Sequence, residues 1–464
     1  MQCNARRDSQ LQNTTHAVFF FPKFNLQLKT DQSKVAISDS ASVKSAEQQR
    51  RIKKLPMALA IAAALLAAFF WILARVKNRA LKAVDAASRA PALMIVIGAG
   101  VSLAWRAAGG PFAPSEWVAA GADALLAALA FAAAAQFRIT QLARVCPASF
   151  RLTMGGAPLF LVVCGLAAFI LVPQLSLSAA FLLAGALTLN GAAFDRRAVT
   201  GAPAPAALKA AVRLESAAIL ALGLPVAVML EGVATAAPQG MPLVTPVFEA
   251  ARGFLYAFAL GGSLGLAAAH YGAQEKYNKR AELFAFGAGF AALVISPMIG
   301  AHPVIAAAAA GLLWGERTEA LAITRVRMRR IAERNVAPLA YLAFGLLLAP
   351  RILHADLLTV LFAAAAITIM RAGPRLAALK KSDLPHESQM FLAWFGGAPG
   401  AASALFLISL FDASSIVAQD AVLTVGALAV MFGVFAARLT SRPLVKLLLK
   451  QTALAKKRAM FAPS

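Results

Sequence analysis

The chain has 464 residues, of which 60% are hydrophobic and only 14% are charged, with a mean hydropathy of +0.70. Soluble globular domains contain about 45–50% apolar and about 25% charged residues, so the composition excludes an ordinary soluble protein. The net charge of +24 would suit a nucleic-acid binder, but the basic residues lie in short groups between apolar runs. That arrangement is typical of the cytoplasmic loops of membrane proteins. We therefore predict an all-α polytopic membrane protein whose partner is the lipid bilayer, with no nucleic acid.

Several other classes of site have no sequence support. Cys3, Cys146 and Cys164 form no C-x-x-C pair, and the five His residues are scattered. A zinc site or a disulfide framework requires closer and more regular spacing. Phosphate-binding and dinucleotide-binding glycine motifs do not occur, and no nucleophile motif lies inside an apolar run. We expect no metal, no cofactor, no ATP-driven pump and no enzyme active site.

The first 56 residues differ from the rest of the chain. They are polar and hold ten Lys and Arg residues, four of which (Arg50, Arg51, Lys53 and Lys54) directly precede the first apolar run. Such low hydrophobicity predicts a disordered extension. Because Met57 follows at once, we interpret 1–56 as an over-extended start or a dispensable leader. The alternative is a genuine cytoplasmic tail, which would require twelve or fourteen spans.

From residue 57 onward the apolar runs fit the length of a membrane crossing. A helix needs about 20 mostly apolar residues to cross roughly 30 Å of hydrocarbon. This measure predicts about thirteen spans, at 57–76, 91–107, 115–136, 155–173, 178–194, 207–231, 246–270, 282–299, 301–315, 335–350, 354–371, 388–410 and 417–437. Pro297, Gly300 and Pro303 leave open whether 281–315 is one broken segment.

The distribution of basic residues predicts the orientation of the spans. Every second loop is basic, whereas 232–245 and 411–416 contain no Lys or Arg. Positive loops stay in the cytoplasm, so the C-terminus is expected inside, at a bacterial inner or plasma membrane, and a chain starting at Met57 would begin outside. The basic loop residues are Arg75, Lys77, Arg79, Lys82, Arg138, Arg144, Arg151, Arg196, Arg197, Lys276, Lys279, Arg280, Arg325, Arg327, Arg329, Arg330, Arg371, Arg375, Lys380 and Lys381. We divide the chain into the extension 1–56, a transmembrane domain 57–450 and a basic cytoplasmic tail 451–464.

Ionisable groups inside spans indicate ion paths, because burying a charge in the bilayer is costly. The candidates are Asp123, Asp195, Glu215, Glu231, Glu249 and Arg252. Most lie near span ends, where hydration at the interface explains them. Glu215 lies about two turns inside the sixth span, where burial should keep it protonated for much of the time unless a cation stands close, and we expect any proton-linked activity to depend on it. A structural carboxyl that joins spans six and twelve is the competing interpretation.

Helix breaks are a second indicator, because discontinuous spans expose backbone groups to ions near the midplane. Asn190-Gly191 interrupts the fifth span, and Gly396-Gly397-Ala398-Pro399-Gly400 interrupts the twelfth. Proline removes a helical hydrogen bond and glycine permits unusual backbone angles. Each break alone could be only a kink.

Several motifs in chain order resemble the monovalent cation/proton antiporters of the sodium/proton exchanger type. They are Phe150-Arg151-Leu152 through Gly156-Ala157-Pro158-Leu159, Leu183-Ala184-Gly185-Ala186, Glu215-Ser216 through Pro225, Ala309-Ala310-Gly311-Leu312, and Trp394-Phe395-Gly396 with Gly400 and Ser403. The resemblance covers about 57–450. It implies an inverted-repeat fold with a core domain and a panel domain, the latter forming a homodimer. It also implies an ion path through Glu215, Ser216, Asn190 and Ser403.

The motifs also depart from that family at its ion site. Ile219 and Leu220 stand where the family has an Asn-Asp pair, and the family's Arg falls on Ala398 or Pro399. Its Thr-Asp-Pro break falls near Asn190 and Gly191. The resemblance implies a secondary transporter that exchanges Na⁺ or K⁺ for protons. The alternative is a transport-inactive paralogue that acts as a membrane scaffold or regulatory partner.

Overall fold

A computed structural model describes residues 91–108, 116–136, 146–190, 205–239, 244–274, 281–318, 322–382, 384–412 and 416–460. Within these ranges the regular secondary structure is helical, and the β-type pairing consists of one isolated backbone bridge. The first predicted span, 57–76, and the extension 1–56 lie outside the described residues. All described residues belong to one compact unit, 54–464.

Fourteen helices are described. They are α1 (Pro91–Ala107), α2 (Glu116–Ala134), α3 (Pro147–Leu171), α4 (Leu177–Thr188), α5 (Ala206–Ala236), α6 (Val244–Ala273), α7 (Ala281–Ile295), α8 (Pro303–Arg317), α9 (322–347), α10 (Leu357–Ile367), α11 (Ile369–Leu379), α12 (His386–Phe395), α13 (Ala401–Ser409) and α14 (Gln419–Met460). Seven stretches in the described residues are long and apolar enough to cross a membrane. They are Pro147–Leu171, Ala207–Gln239, Val244–Ala273, Ala281–Ile299, Thr324–His354, Leu357–Leu379 and Gln419–Thr440.

Local sequence explains where several of these helices begin or bend. Ser176 caps α4 by accepting from the backbone N–H of Ala179 at 3.3 Å, and Asp356 caps α10 by accepting from Thr359 at the same distance. These short polar side chains satisfy N–H groups that have no partner inside the helix. Pro158 in α3 follows a five-residue π-turn, which adjusts the hydrogen-bond ladder where proline lacks an N–H.

Small residues allow the helices to pack closely. Gly261 and Gly265 on α6 face Ala306 and Ala310 on α8, and an added Cβ on either glycine would lie 2.9 Å from the opposing Cα. The two backbones therefore come into direct contact, which is typical of membrane helices. α8 is buried along almost its whole length and also packs against α2. The segment 281–315 forms two helices, separated by Gly300 at a φ of 72°.

Two basic segments that we predicted as cytoplasmic loops are helical instead. α9 begins at Ala322, so most of 317–334 is the first part of a helix. Arg371 and Arg375 lie on α11 and are only 4% and 3% exposed. The expected loop position of Arg371 and Arg375 was wrong because α10 ends at Ile367 and α11 follows with one residue between them, which extends the apolar segment to Leu379.

Candidate functional site

Two chain breaks meet in the interior of the protein. α4 ends at Thr188, and Asn190, two residues later, forms an antiparallel backbone bridge with Pro399, which lies between α12 and α13. Both residues are buried. We call this meeting of the two non-helical segments the crossing. The glycines around Pro399 keep the helices from continuing, so backbone polar groups are exposed to neighbouring side chains rather than used within a helix.

Two serine hydroxyls bind the first segment of the crossing. Ser216 on α5 donates to the side-chain oxygen Oδ1 of Asn190, and Ser403 on α13 donates to the backbone oxygen of Leu189. Both serines are buried. The structure therefore brings Asn190, Ser216 and Ser403, three of the residues expected on the ion path, to one place. Gly191 lies outside the described residues.

Glu215, the fourth residue expected on the ion path, forms a buried ion pair with Arg375. Its Oε2 accepts from Nη2 of Arg375 at 2.8 Å, and its Oε1 accepts from Nη1 of the same guanidinium at 2.5 Å. The carboxylate is fully buried. Bidentate pairing of this kind is among the stronger hydrogen-bonded contacts in proteins. Glu215 thus connects α5 to α11.

The same arginine also donates hydrogen bonds to backbone carbonyls at the C-terminal end of α12. Nε of Arg375 donates to the backbone oxygen of Ala393 at 3.1 Å, and Nη2 donates to that of Leu392 at 2.9 Å. Nη2 of Arg371 donates to the oxygen of Trp394 at 2.8 Å. A helix ends with carbonyl groups that have no internal partner and with a partial negative charge. Because α12 ends inside the protein, two buried guanidinium groups satisfy these carbonyls.

Gly396 and Gly397 make this arrangement possible. Gly397 has a φ of 67°, in the left-handed region that glycine adopts at little cost. A Cβ on Gly396 would clash with Nη2 of Arg375 and with Oε2 of Glu215, and a Cβ on Gly397 would clash with Nη1 of Arg375. The two glycines therefore leave the space that the ion pair occupies.

The remaining predicted site positions are apolar or structural. Ile219 and Leu220 are 2% and 0% exposed and present aliphatic side chains one turn beyond Glu215. Ala398 is half-buried beside Pro399, and Gly400 directly precedes α13. In the described ranges, no three His, Cys, Asp or Glu side chains come together to hold a metal ion.

The other ionisable candidates lie apart from this site. Glu249 and Arg252 pair with each other on α6 and are about half exposed, at 51% and 50%. Asp123 lies on α2 and Glu231 on α5, two helices that pack against each other. Asp195 lies outside the described residues.

Sequence reasoning missed Arg371 and Arg375, which we counted as loop charges. One signal was present: they are four residues apart, so on a helix they share a face. In the sequence, an apolar run that ends in two arginines one turn apart, with Pro374 between them, looks like a span followed by a basic loop. Only the helix bounds show that the helical segment instead continues through both arginines.

Residues 65–447 match the family described as "Sodium/hydrogen exchanger, transmembrane". The chain belongs to this family. Its fold is similar to that of the sodium proton antiporter MjNhaP1 from Methanocaldococcus jannaschii, with a TM-score of 0.59 and 16% sequence identity. The similarity covers 86% of this chain and 98% of that protein. None of the curated proteins matches the chain. The predicted family and the predicted all-α antiporter fold are confirmed.

Proposed function

We propose that this sodium/hydrogen exchanger family member is a secondary transporter that exchanges a monovalent cation, Na⁺ or K⁺, for protons without ATP. The observation that carries the proposal is the crossing. In an exchanger fold, Asn190 and Pro399 meet where two helices are interrupted, and the hydroxyls of Ser216 and Ser403 lie beside them. Interrupted spans of this kind place backbone and side-chain oxygens where an ion can use them in place of its water shell.

The oxygens at the crossing are neutral. The Asn190 amide carries an oxygen on one side and an NH₂ on the other, and the Ser216 hydroxyl can either donate or accept. Rotation of the amide would direct Oδ1 toward a cation, while Nδ2 would donate to Ser216. Hydroxyl, amide and carbonyl oxygens are suitable ligands for a hard monovalent cation. Cation binding at the crossing therefore does not need the carboxylate that Leu220 replaces.

Proton coupling places a stricter demand on the site. Exchange needs a group that gives up its proton when the cation binds, and Leu220 cannot do so. Of the carboxylates in the described part of the core, Glu215 is the one next to the crossing, and Arg375 binds both its oxygens. We propose that Glu215 separates from Arg375 during the transport cycle and takes up a proton in the state in which the pair is broken.

A specific observation also favours the rival function, a transport-inactive paralogue. Ile219 and Leu220 are buried where the family carries its Asn-Asp pair, and the Glu215–Arg375 pair is complete. A chain with these features would keep the exchanger fold and serve as a membrane scaffold or regulatory partner.

Proteoliposomes distinguish the two functions. The full chain is reconstituted with a pH-sensitive dye inside, and an outward proton gradient is challenged with Na⁺, K⁺ or choline. Exchange predicts a proton flux that begins on adding Na⁺ or K⁺ and is absent with choline. No cation-dependent flux from protein that elutes as a single folded species would refute exchange. In that case Ile219→Asn with Leu220→Asp tests whether the scaffold regains transport once its Asn-Asp pair is restored.

The proposal also includes the bounds of the transport domain, the oligomeric state and the membrane in which the protein lies. The transport domain is 57–450, the tail 451–464 is cytoplasmic, and the functional unit is a homodimer in a bacterial inner or plasma membrane. Its support is the family membership and the distribution of basic residues along the sequence. Chemical crosslinking in membranes tests the dimer.

A further inference from the structure

Arg371 is a buried cation whose hydrogen bonds are incomplete. The residue is 4% exposed and lies on α11, one turn before Arg375. Its Nη2 donates to the backbone oxygen of Trp394 at 2.8 Å, and its guanidinium lies 5.7 Å from the centre of the Trp394 ring. Among the residues that the structure describes, Nε and Nη1 of Arg371 have no hydrogen-bond partner.

Charge balance makes this feature unusual. Arg375 has a negatively charged partner, because both carboxylate oxygens of Glu215 accept hydrogen bonds from it. Arg371 interacts with Arg375 and Glu215 electrostatically, yet Glu215 contributes one negative charge against two guanidinium groups. Arginine stays protonated in proteins, so the charge cannot be removed by losing a proton. A buried charge is stable only when an opposite charge or a full set of hydrogen bonds compensates for it.

The contacts of Arg371 supply only part of that compensation. The Trp394 carbonyl and the Trp394 ring face are both electron-rich, and each attracts the guanidinium. Neither carries a full negative charge, and neither reaches Nε or Nη1. Nε carries one N–H and Nη1 carries two, and all three are donors, so the missing partners are acceptors. The excess positive charge specifies that one of these acceptors is an anion, and the low exposure specifies that it is small.

We propose that Arg371 binds a small inorganic anion of the size of chloride inside the core, beside the Glu215–Arg375 pair. The anion accepts from Nη1 and brings the net charge of the group formed by Glu215, Arg371 and Arg375 to zero. The Nε–H lies on the opposite edge of the planar guanidinium, so a separate acceptor, water, binds it. This inference goes beyond cation/proton exchange and does not depend on it, because the binding is a property of the resting core. If exchange occurs, the anion removes a positive charge that would repel a cation at the nearby crossing.

The first experiment measures binding through stability. The purified full chain in detergent is unfolded by heat while sodium gluconate is replaced by sodium chloride at constant ionic strength and pH. A ligand that binds only the folded state raises the unfolding temperature in proportion to the logarithm of its concentration above its dissociation constant. We expect a rise with chloride for the unmodified chain. An unfolding temperature that does not respond to chloride would overturn the proposal.

Two variants assign the effect to Arg371. Arg371→Gln should abolish the dependence on chloride, whereas Arg371→Lys should keep the charge and shift the response to higher chloride. Lys380→Gln is the matched control, since it removes a positive charge from an exposed position at the end of α11. It should respond like the unmodified chain. An equal response in Arg371→Gln and the unmodified chain would show that chloride binds elsewhere.

A second measurement does not depend on a variant of Arg371. Bound iodide next to Trp394 should quench its fluorescence at a low, saturable concentration, in addition to the linear collisional quenching of the other tryptophans. Chloride should compete for this component, and Trp394→Phe should remove it. Quenching that is linear throughout, or that chloride leaves unchanged, would refute the anion site and indicate that water satisfies Nε and Nη1 of Arg371.

Discussion

Both carboxylate oxygens of Glu215 on α5 accept hydrogen bonds from Arg375 on α11, 160 residues later in the chain. Through its other donors the same guanidinium binds the last carbonyls of α12. One side chain therefore joins three helices at the point where α12 stops. The pair has two consequences: it determines the stability of the core, and it sets the condition under which Glu215 can take part in transport.

The first prediction concerns the stability of this pair. Glu215→Gln leaves Arg375 buried without a counter-charge, and breaking a buried ion pair from one side costs about 3–5 kcal/mol. The double change Glu215→Leu with Arg375→Met removes both charges, so we expect it to be less destabilised than either single change. Chemical unfolding in detergent measures the free energies. Glu249→Gln, which breaks an exposed pair, should change them by about 0–1 kcal/mol.

The stability of Glu215→Gln must be measured before its proton flux is interpreted. If Glu215→Gln loses proton flux because the protein unfolds, the loss says nothing about protonation. The flux of Glu215→Gln should therefore be compared with that of the folded double variant. Proton flux that continues unchanged in either variant would contradict the role of Glu215 in coupling, and stability equal to that of the unmodified chain would contradict the cost of breaking the pair.

The second prediction concerns the space around the ion pair. Gly396→Ala places a Cβ against Arg375 and Glu215, so the pair must separate or the chain must shift. We expect a loss of stability of about 1–3 kcal/mol, the usual cost of overpacking a core. Gly373→Ala on α11 is the control, because a Cβ there meets no atom within 4 Å. It should be neutral or slightly stabilising, since alanine favours a helix by about 1 kcal/mol over glycine. Equal effects of the two changes on the unfolding free energy would contradict the packing argument.

The third prediction concerns the crossing. Ser216→Ala removes the hydroxyl that binds Oδ1 of Asn190. If cations bind at the crossing, the cation concentration for half-maximal flux should rise severalfold while the protein stays folded. Ser409→Ala is the control, because its hydroxyl binds only the carbonyl of Phe406 in its own helix. Flux curves in proteoliposomes measure both. A Ser216→Ala curve that coincides with that of Ser409→Ala would show that the crossing does not bind the ion.

The fourth prediction concerns orientation. We expect 317–334, which holds six Lys and Arg residues, to face the cytoplasm, and 232–245, which holds none, to face outward. Arg327→Cys and Gln239→Cys, both at exposed positions, are introduced after Cys3, Cys146 and Cys164 are replaced by Ser. An impermeant maleimide added to intact cells should label the cysteine at 239 and spare the one at 327. Labelling at 327 alone would reverse the orientation.

The fifth prediction concerns the start of the chain. The basic residues before Met57 conflict with an outward N-terminus, so we expect 1–56 to be dispensable. Expression from Met57 should give the same membrane insertion and yield as the full chain, measured by fluorescence of a C-terminal fusion in isolated membranes. Loss of insertion would contradict this expectation.

The sequence by itself determined the class of protein, the family and the position of several membrane-spanning helices. Helix-length apolar runs are a local property, because every backbone polar group in lipid must be satisfied within its own helix. The predicted runs 91–107 and 246–270, for example, fall on α1 and α6. The order of motifs around Glu215 and Trp394 likewise needed no contacts between distant residues.

Only the tertiary structure decided the chemistry around Glu215. Its partner is 160 residues away, and the position of that partner depends on α11 continuing the membrane segment after Ile367. From sequence, Arg371 and Arg375 have the same spacing and charge as residues of a cytoplasmic loop. The difference is burial: an arginine in water needs no counter-charge, whereas one in the core must obtain it from whatever the fold places beside it. Arg375 obtains it from Glu215, whereas Arg371 forms no ion pair with any residue that the structure describes. Neighbours in space are set by the packing of helices rather than by position along the chain.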